Sequence, residues 1–96
     1  MNYILIVQED VSEDLYEAAL YYETQQKDLG RKFIADWENT TELLIRNPLG
    51  FQKTQKTYRH IALKKFPYLI IYEVHKDEIF VSRFINARRE PIKRYK

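Results

Sequence analysis

The sequence predicts an α+β domain with the element order β-α-α-β-β-β, in which a helical hairpin packs on a small, mainly antiparallel sheet. Two observations predict this class. After one short apolar run, apolar residues recur at helical spacing up to residue 45, whereas from residue 58 to residue 86 they alternate with polar residues as in strands. A chain of 96 residues suffices for one two-layer core, so we expect a single domain over residues 1–96.

The first predicted element is a strand at residues 2–7, a run of β-branched and aromatic side chains that we expect to be buried on both faces. Asp10 or Ser12 can cap the helix that follows, and we expect this helix to end near Gln26. Residues at helical spacing give the helix one apolar face, which consists of Leu15, Ala18, Ala19 and Tyr22.

A second amphipathic helix is predicted after a short break at residues 27–30. Its inner face consists of Phe33, Ile34, Trp37, Thr41, Leu44 and Ile45. The Asn-Pro-Leu-Gly sequence at residues 47–50 ends it. Because the link between the two helices is so short, they should pack as an antiparallel hairpin.

Three strands are predicted in the second half of the chain, at residues 58–65, 68–75 and 78–86. In the first of them, Arg59 shares one side with Ile61 and Leu63. A tight polar turn, Lys76-Asp77, joins the other two, so the three strands form an antiparallel meander. Large aromatic residues at inward-facing positions are expected in the core, namely Trp37, Tyr68, Tyr72 and Phe80.

Charge is distributed unevenly along the chain. Residues 1–48 contain four basic and ten acidic residues, whereas residues 49–96 contain twelve basic and four acidic ones. We therefore expect acidic helices and a basic sheet, with the basic side chains near the face that the helices leave uncovered or on its rim. Such a surface would bind an anionic partner, namely nucleic acid, an acidic protein or an acidic site. The alternative is that the opposite charges only attract the two faces of this domain to each other. The residues concerned are Lys53, Lys56, Arg59, Lys64, Lys65, Arg83, Arg88, Arg89, Lys93 and Arg94.

Composition excludes several functional classes. The chain has no cysteine, which excludes disulfides, thiol chemistry and zinc sites built on thiolates. Its two glycines are too few for a glycine-rich phosphate loop, and His60 and His75 lack metal-ligand spacing, so both are interpreted as structural or solvated. We therefore expect neither a metal site nor a cofactor. The apolar runs are too short for a membrane span and the N-terminus does not resemble a signal peptide, so we expect a cytoplasmic protein with no membrane partner.

Several blocks of the sequence, taken in order, resemble one known family. They are Tyr58-Arg59, the Phe-Pro-Tyr-Leu-Ile-Ile-Tyr sequence at residues 66–72, the Asn-Ala-Arg-Arg-Glu-Pro sequence at residues 86–91, and residues 19–33. In this combination and order they resemble the RelE/ParE superfamily, the toxins of type II toxin–antitoxin (plasmid stabilisation) systems. The resemblance spans nearly the whole chain and implies the same helical hairpin on an antiparallel sheet.

The resemblance implies a toxin that arrests growth and that a cognate antitoxin neutralises by docking against the basic sheet and tail, in a hetero-oligomer. RelE-like members cleave mRNA on the ribosome without a metal, whereas ParE-like members inhibit DNA gyrase and are not known to need catalysis. For a nuclease, the resemblance implies catalytic roles for Arg59, Arg88 and Tyr95. The residues that it implies for target or antitoxin binding are Lys64, Lys65, Arg83, Arg89 and Arg94.

Two positions bear on the choice of target. Ile61 and Leu69 stand where basic residues are common in the RelE-like nucleases. We therefore favour ParE-like gyrase inhibition slightly, and leave open whether the protein is an enzyme. A noncatalytic nucleic-acid-binding module, whose basic face contacts phosphates, is an alternative class. A degenerate toxin that retains only its antitoxin interface is another.

Overall fold

The computed structural model describes residues 2–88 of the chain. Two helices pack on one five-stranded sheet, so the predicted α+β fold is confirmed, with one strand more than expected. The elements are β1 (Ile4–Val7), α1 (Glu9–Gln25), α2 (Leu29–Arg46), a 3₁₀ turn (Pro48–Gly50), β2 (Lys53–Gln55), β3 (Tyr58–Ala62), β4 (Tyr68–His75) and β5 (Glu78–Asn86). Within the described range, neither helix is long and apolar enough to cross a membrane.

The sheet has the strand order β1-β5-β4-β3-β2. β1 pairs with β5 in parallel, and every other pair is antiparallel, so the sheet is mainly antiparallel as predicted. β1 therefore lies at an edge of the sheet. The prediction that this strand is buried on both faces is wrong, because the helices cover only one face of the sheet; Ile4, which pairs with Glu78 on the other face, is 55% exposed.

The strand register determines which side chains face the helices, because directly paired residues lie on the same face of a sheet. Ile70 of β4 pairs with Ile61 of β3 and with Phe84 of β5, and all three are buried under α1 and α2. One continuous hydrophobic core forms between the two layers. Its buried members are Val11, Leu15, Ala18, Phe33, Trp37, Leu44, Ile61, Leu63, Ile70, Tyr72, Ile79, Val81 and Phe84.

The opposite face of the sheet is left uncovered by α1 and α2. Ile71 lies on it, paired with His60 and Arg83. Phe80 also lies on this face, half-buried and with its ring 5.6 Å from that of His75. The prediction that Phe80 belongs to the core is therefore wrong, whereas Tyr72 does lie in the core.

The start of α1 lacks the predicted cap, and a carboxylate that the sequence pattern did not indicate holds the link between α1 and α2. The helix begins at Glu9, and the residue before it, Gln8, makes no side-chain capping hydrogen bond. The predicted caps, Asp10 and Ser12, are therefore wrong, because both residues already lie within the helix, although the Asp10 carboxylate accepts the Val11 N–H at 2.9 Å. At the other end, the Glu23 carboxylate accepts the backbone N–H groups of Asp28 and Gly30, each at 3.0 Å. This carboxylate therefore caps the start of α2 and holds the hairpin closed.

Candidate functional site

The residues predicted to carry function are spread over several parts of the fold. Arg59 lies on β3, Arg83 on β5, and Arg88 just beyond β5. Lys64 and Lys65 lie in the loop between β3 and β4. Three further candidates, Arg89, Arg94 and Tyr95, lie outside the described residues.

Arg59 is half-buried on the helix-facing side of the sheet, where it pairs with Tyr72. Its Nη1 donates a hydrogen bond of 2.8 Å to the carbonyl oxygen of Phe51, in the segment that leads into β2. The neighbouring Tyr72 hydroxyl donates one of 2.6 Å to the carbonyl oxygen of Pro48. Burial raises the pKa of Tyr72 to about 12, with the Arg59 cation acting in the opposite direction. Arg59 thus contributes to holding the 3₁₀ segment against the core, and it does not lie on the uncovered face.

Arg88 lies two residues after Asn86, which ends β5 and pairs with the first residue of β4, Tyr68. The backbone of this region is fixed by the Ala87 N–H, which donates to the Pro67 carbonyl at 2.7 Å, and by the Arg88 N–H, which donates to Asn86 Oδ1 at 3.0 Å. The Arg88 side chain is exposed. Burial is the main cause of a raised pKa of Tyr22, and the charge of Arg88 acts against it. Arg88 is therefore close enough to the end of α1 to act on Tyr22 electrostatically.

The structure does not bring Arg59 and Arg88 together. Arg59 pairs with Tyr72, whereas Arg88 follows Asn86, which pairs with Tyr68. Tyr72 and Tyr68 are four positions apart on β4, which corresponds to roughly 13 Å along the strand. The Arg59 guanidinium is also held by the Phe51 carbonyl, so no shared phosphate position follows from this arrangement.

Arg83 lies on the other face of the sheet from Arg59. It is exposed and pairs with Ile71 on the uncovered face. Nearby, His60 has a buried Nδ1 without a hydrogen-bond partner among the described residues, and burial lowers the pKa of this histidine. On the same face, Glu73 accepts a hydrogen bond from the Thr57 hydroxyl and lies 3.7 Å from His75 Nε2. This face therefore carries mixed charge rather than a continuous basic surface.

Lys64 and Lys65 are positioned by a buried carboxylate of α2. Asp36 is only 4% exposed, and its oxygens accept the backbone N–H groups of Lys64 at 3.2 Å, Lys65 at 2.8 Å and Phe66 at 3.2 Å. These three N–H groups turn away from strand pairing, so β3 ends at Ala62 rather than at residue 65. The loop consequently lies against α2, and the two lysines do not project from the uncovered face.

Asp36 is the residue that the sequence analysis missed. The available signal was its spacing: Asp36 stands next to Trp37 and three residues after Phe33, on the inward face of α2. An acid at an inward position requires hydrogen-bond donors, because an unpaired buried carboxylate is strongly unfavourable. The pattern could therefore indicate a partner for Asp36, but not which segment supplies it.

A groove of about 300 Å³ lies between α2 and the β3–β4 loop, and we call it the α2–loop groove. The cations that line it are Lys32, Arg46, Lys64 and Lys65. Within residues 2–88, the ion pairs are Arg31 with Asp28 and His75 with Glu73, so none of these four cations is paired. Chemically, the groove is suited to bind an anion. No three side chains of the described range are arranged to hold a metal ion.

The comparisons with known proteins agree with this fold. Residues 5–91 match the family model described as the ParE toxin of the type II toxin–antitoxin system, parDE. No curated protein matches the chain. Among solved structures, a chain of the chromosomal ParDE TA system from P. aeruginosa has the same fold, with a TM-score of 0.64 and 16% sequence identity over 88% of this chain and 95% of that chain. The resemblance found in the sequence is thereby confirmed, and the chain belongs to the ParE toxin family of type II toxin–antitoxin systems.

Proposed function

We propose that this protein is the growth-arresting toxin of a type II toxin–antitoxin module, that it acts in the cytoplasm, and that a cognate antitoxin neutralises it in a complex. The match to the ParE toxin family over residues 5–91 supports this proposal. Within it, we propose that the toxin acts by binding its target rather than by cutting RNA, and that the target is DNA gyrase.

One observation favours binding over cleavage: Arg59 pairs with Tyr72 in the middle of β4, whereas Arg88 lies beyond the pair that Asn86 forms with the first residue of β4, Tyr68. Cleavage of RNA through its 2′-hydroxyl needs cations held around one phosphate, where they stabilise the charge of the transition state. Arg59 is instead bonded to the Phe51 carbonyl. A nuclease that used both arginines would require Arg59 to break its hydrogen bond to Phe51. Binding of the protein to a target can leave that hydrogen bond intact.

The proposal is tested by inducing the chain in bacterial cells that lack the antitoxin and following DNA synthesis and protein synthesis in parallel with labelled precursors. We expect DNA synthesis to fall first. Purified gyrase should then lose supercoiling activity when the protein is added. An early fall in protein synthesis with cleaved mRNA would contradict gyrase inhibition and favour the RelE-like reading.

The antitoxin part of the proposal has its own test. Co-expression of the neighbouring open reading frame should restore growth and should yield a complex that elutes as one species. Full growth arrest in the presence of every neighbouring gene product would contradict neutralisation by a cognate partner. If the induced chain never arrests growth but binds RNA or DNA with a steep dependence on salt, the noncatalytic nucleic-acid-binding class is favoured instead.

A further inference from the structure

Two isoleucines are buried on the face of the sheet that the helices leave uncovered. Ile71 is 3% exposed and Ile85 is 2% exposed, although neither belongs to the core between the two layers. Leu69, which pairs with Ile85, lies beside them and is half-buried. We call these three residues the Ile71–Ile85 patch. A sheet face that is open to water carries polar side chains as a rule, so buried isoleucines on it indicate that another segment covers them.

The described neighbours of the patch do not supply this cover. β4 lies beside Ile85, but β1 pairs with β5 only as far as Val81, so no described strand flanks Ile85 on its other side. Arg83, two residues before Ile85 on the same face, is itself exposed. Both isoleucines are buried within a single chain, so the cover comes from that chain itself. The candidate segment is residues 89–96, which follow the described range.

The chain turns beside the patch as it leaves β5. Asn86 is the last residue of β5, and its Oδ1 accepts the Arg88 N–H at 3.0 Å, which closes a turn at this point. From Asn86 to Arg83, the partner of Ile71, is three positions, or roughly 10 Å along the strand. The eight residues 89–96 span such a distance in a helical or an extended conformation, at roughly 1.5 or 3.3 Å per residue. The segment therefore starts within reach of both isoleucines.

The sequence of this segment has apolar residues at a spacing that suits such a cover. Ile92 and Tyr95 stand three positions apart among basic residues. Side chains at this spacing lie on the same side of a helical turn, and Pro91, just before them, is a favoured first residue of a helix. One side of that turn is thus apolar, whereas the other carries Lys93 and Arg94.

We propose that the Ile71–Ile85 patch is the docking site of the chain's own residues 91–96, with the side chains of Ile92 and Tyr95 packed on it. The ring of Tyr95 covers the two isoleucines, and the burial of this apolar surface holds the segment on the sheet. Tyr95 is then an anchor on the opposite face of the sheet from Arg59, whereas the resemblance implied a catalytic role for both. The proposal does not depend on which target the protein binds.

The contact is tested by nuclear magnetic resonance on the 96-residue protein with ¹³C-labelled isoleucine methyl groups. We expect nuclear Overhauser effects from the Tyr95 ring to the methyl groups of Ile71 and Ile85. Tyr95→Leu should shift these methyl resonances, whereas Tyr16→Leu, which changes an exposed tyrosine of α1, should not. Absence of these Overhauser effects would overturn the proposal. Effects found only between a labelled and an unlabelled chain would assign the cover to a second copy, which also overturns it.

Because the chain has no cysteine, a single introduced thiol can report how well the patch is covered. The thiol of an Ile71→Cys variant is timed in its reaction with Ellman's reagent. In that variant, Ile92→Ser with Tyr95→Ser should speed the reaction roughly tenfold or more, because the patch loses its cover. Lys93→Ser with Arg94→Ser alters as many residues of the same segment and should change the rate less than about twofold. Equal rates in the two variants, or a fast reaction with the segment unaltered, would contradict docking.

Two further variants complete this test. If Ile71→Cys does not fold, Ile85→Cys reports on the same patch. Tyr95→Phe keeps the aromatic ring and removes only the hydroxyl group, so the thiol reaction should stay within about twofold of its rate with Tyr95 intact. A fast reaction in Tyr95→Phe would show that the hydroxyl group, rather than packing of the ring, holds the segment, and the proposed contact would be wrong.

Discussion

Asp36 organises a loop that is far from it in sequence. Its buried carboxylate accepts the N–H groups of residues 64–66, so its charge is solvated by backbone dipoles instead of water. We predict that Asp36→Asn lowers the free energy of unfolding by roughly 2–3 kcal/mol, because the amide removes the charge and directs an NH₂ group towards backbone donors. Urea unfolding, followed through Trp37 fluorescence, measures the change.

The control for this prediction is Glu38→Gln. Glu38 lies on the same helix but is exposed, and its side chain holds no segment of the chain. The Glu38→Gln variant should therefore change the free energy of unfolding by less than about 0.5 kcal/mol. Equal losses in the two variants would show that helix charge, rather than the contact with the loop, is responsible.

His60 makes stability depend on pH. An unfolded histidine titrates near pH 6.5, and burial lowers the pKa of His60 in the folded protein. As the pH falls below about 6.5, the unfolded chain therefore takes up the proton first, and stability is lost. We predict that the urea midpoint falls between pH 7.5 and pH 5.5, and that His60→Gln makes this fall smaller. An unchanged slope in that variant would assign the effect to other groups.

β4 and β5 could be predicted to the residue, and the shorter strands could not. Both long strands carry their own β-branched and aromatic pattern, and the polar turn at Lys76 and Asp77 separates them. β2 (Lys53–Gln55) has no such pattern, because it is polar and exists only through its pairing with β3. The contact between Asp36 and the loop spans 28 to 30 residues, so no local pattern contains it.

Gly30 determines how closely the two helices approach. A Cβ at this position would lie 2.5 Å from the backbone carbonyl oxygen of Ala19, which cannot move without moving α1. We predict that Gly30→Ala lowers the free energy of unfolding by roughly 1–3 kcal/mol, although alanine is the better helix former. Thermal unfolding by circular dichroism measures it.

The other glycine supplies the comparison for Gly30. A Cβ at Gly50 would meet only the side chain of Asn47, which is exposed and free to rotate. Gly50→Ala should therefore cost clearly less than Gly30→Ala. If Gly50→Ala lowers the free energy of unfolding more than Gly30→Ala does, the close approach of α1 and α2 at Gly30 is not the cause of the lost stability.

The two halves of the chain do not separate by charge as the sequence suggested. α1 contains six acidic residues and no basic one, but α2 carries three of each sign. The cations of the second half are also divided: Arg59 faces the helices, Lys64 and Lys65 lie beside α2, and Arg83 is on the uncovered face. Sequence separates the charges by position along the chain, whereas the β3–β4 loop and the strand register distribute them over different surfaces.

Because Arg59 and Arg88 lie in different parts of the fold, their effects on stability and on growth arrest can be measured separately. Arg59→Ala removes the hydrogen bond to the Phe51 carbonyl, so we predict a loss of roughly 1–2 kcal/mol in the free energy of unfolding. Arg88 is exposed, and Arg88→Ala should leave that free energy within about 0.5 kcal/mol while it relieves growth arrest. Unfolding of the purified variants and colony counts after induction measure the two effects. Because the Arg88 variant stays folded, unaltered toxicity would remove Arg88 from the target surface, whereas lost toxicity could not be attributed to unfolding.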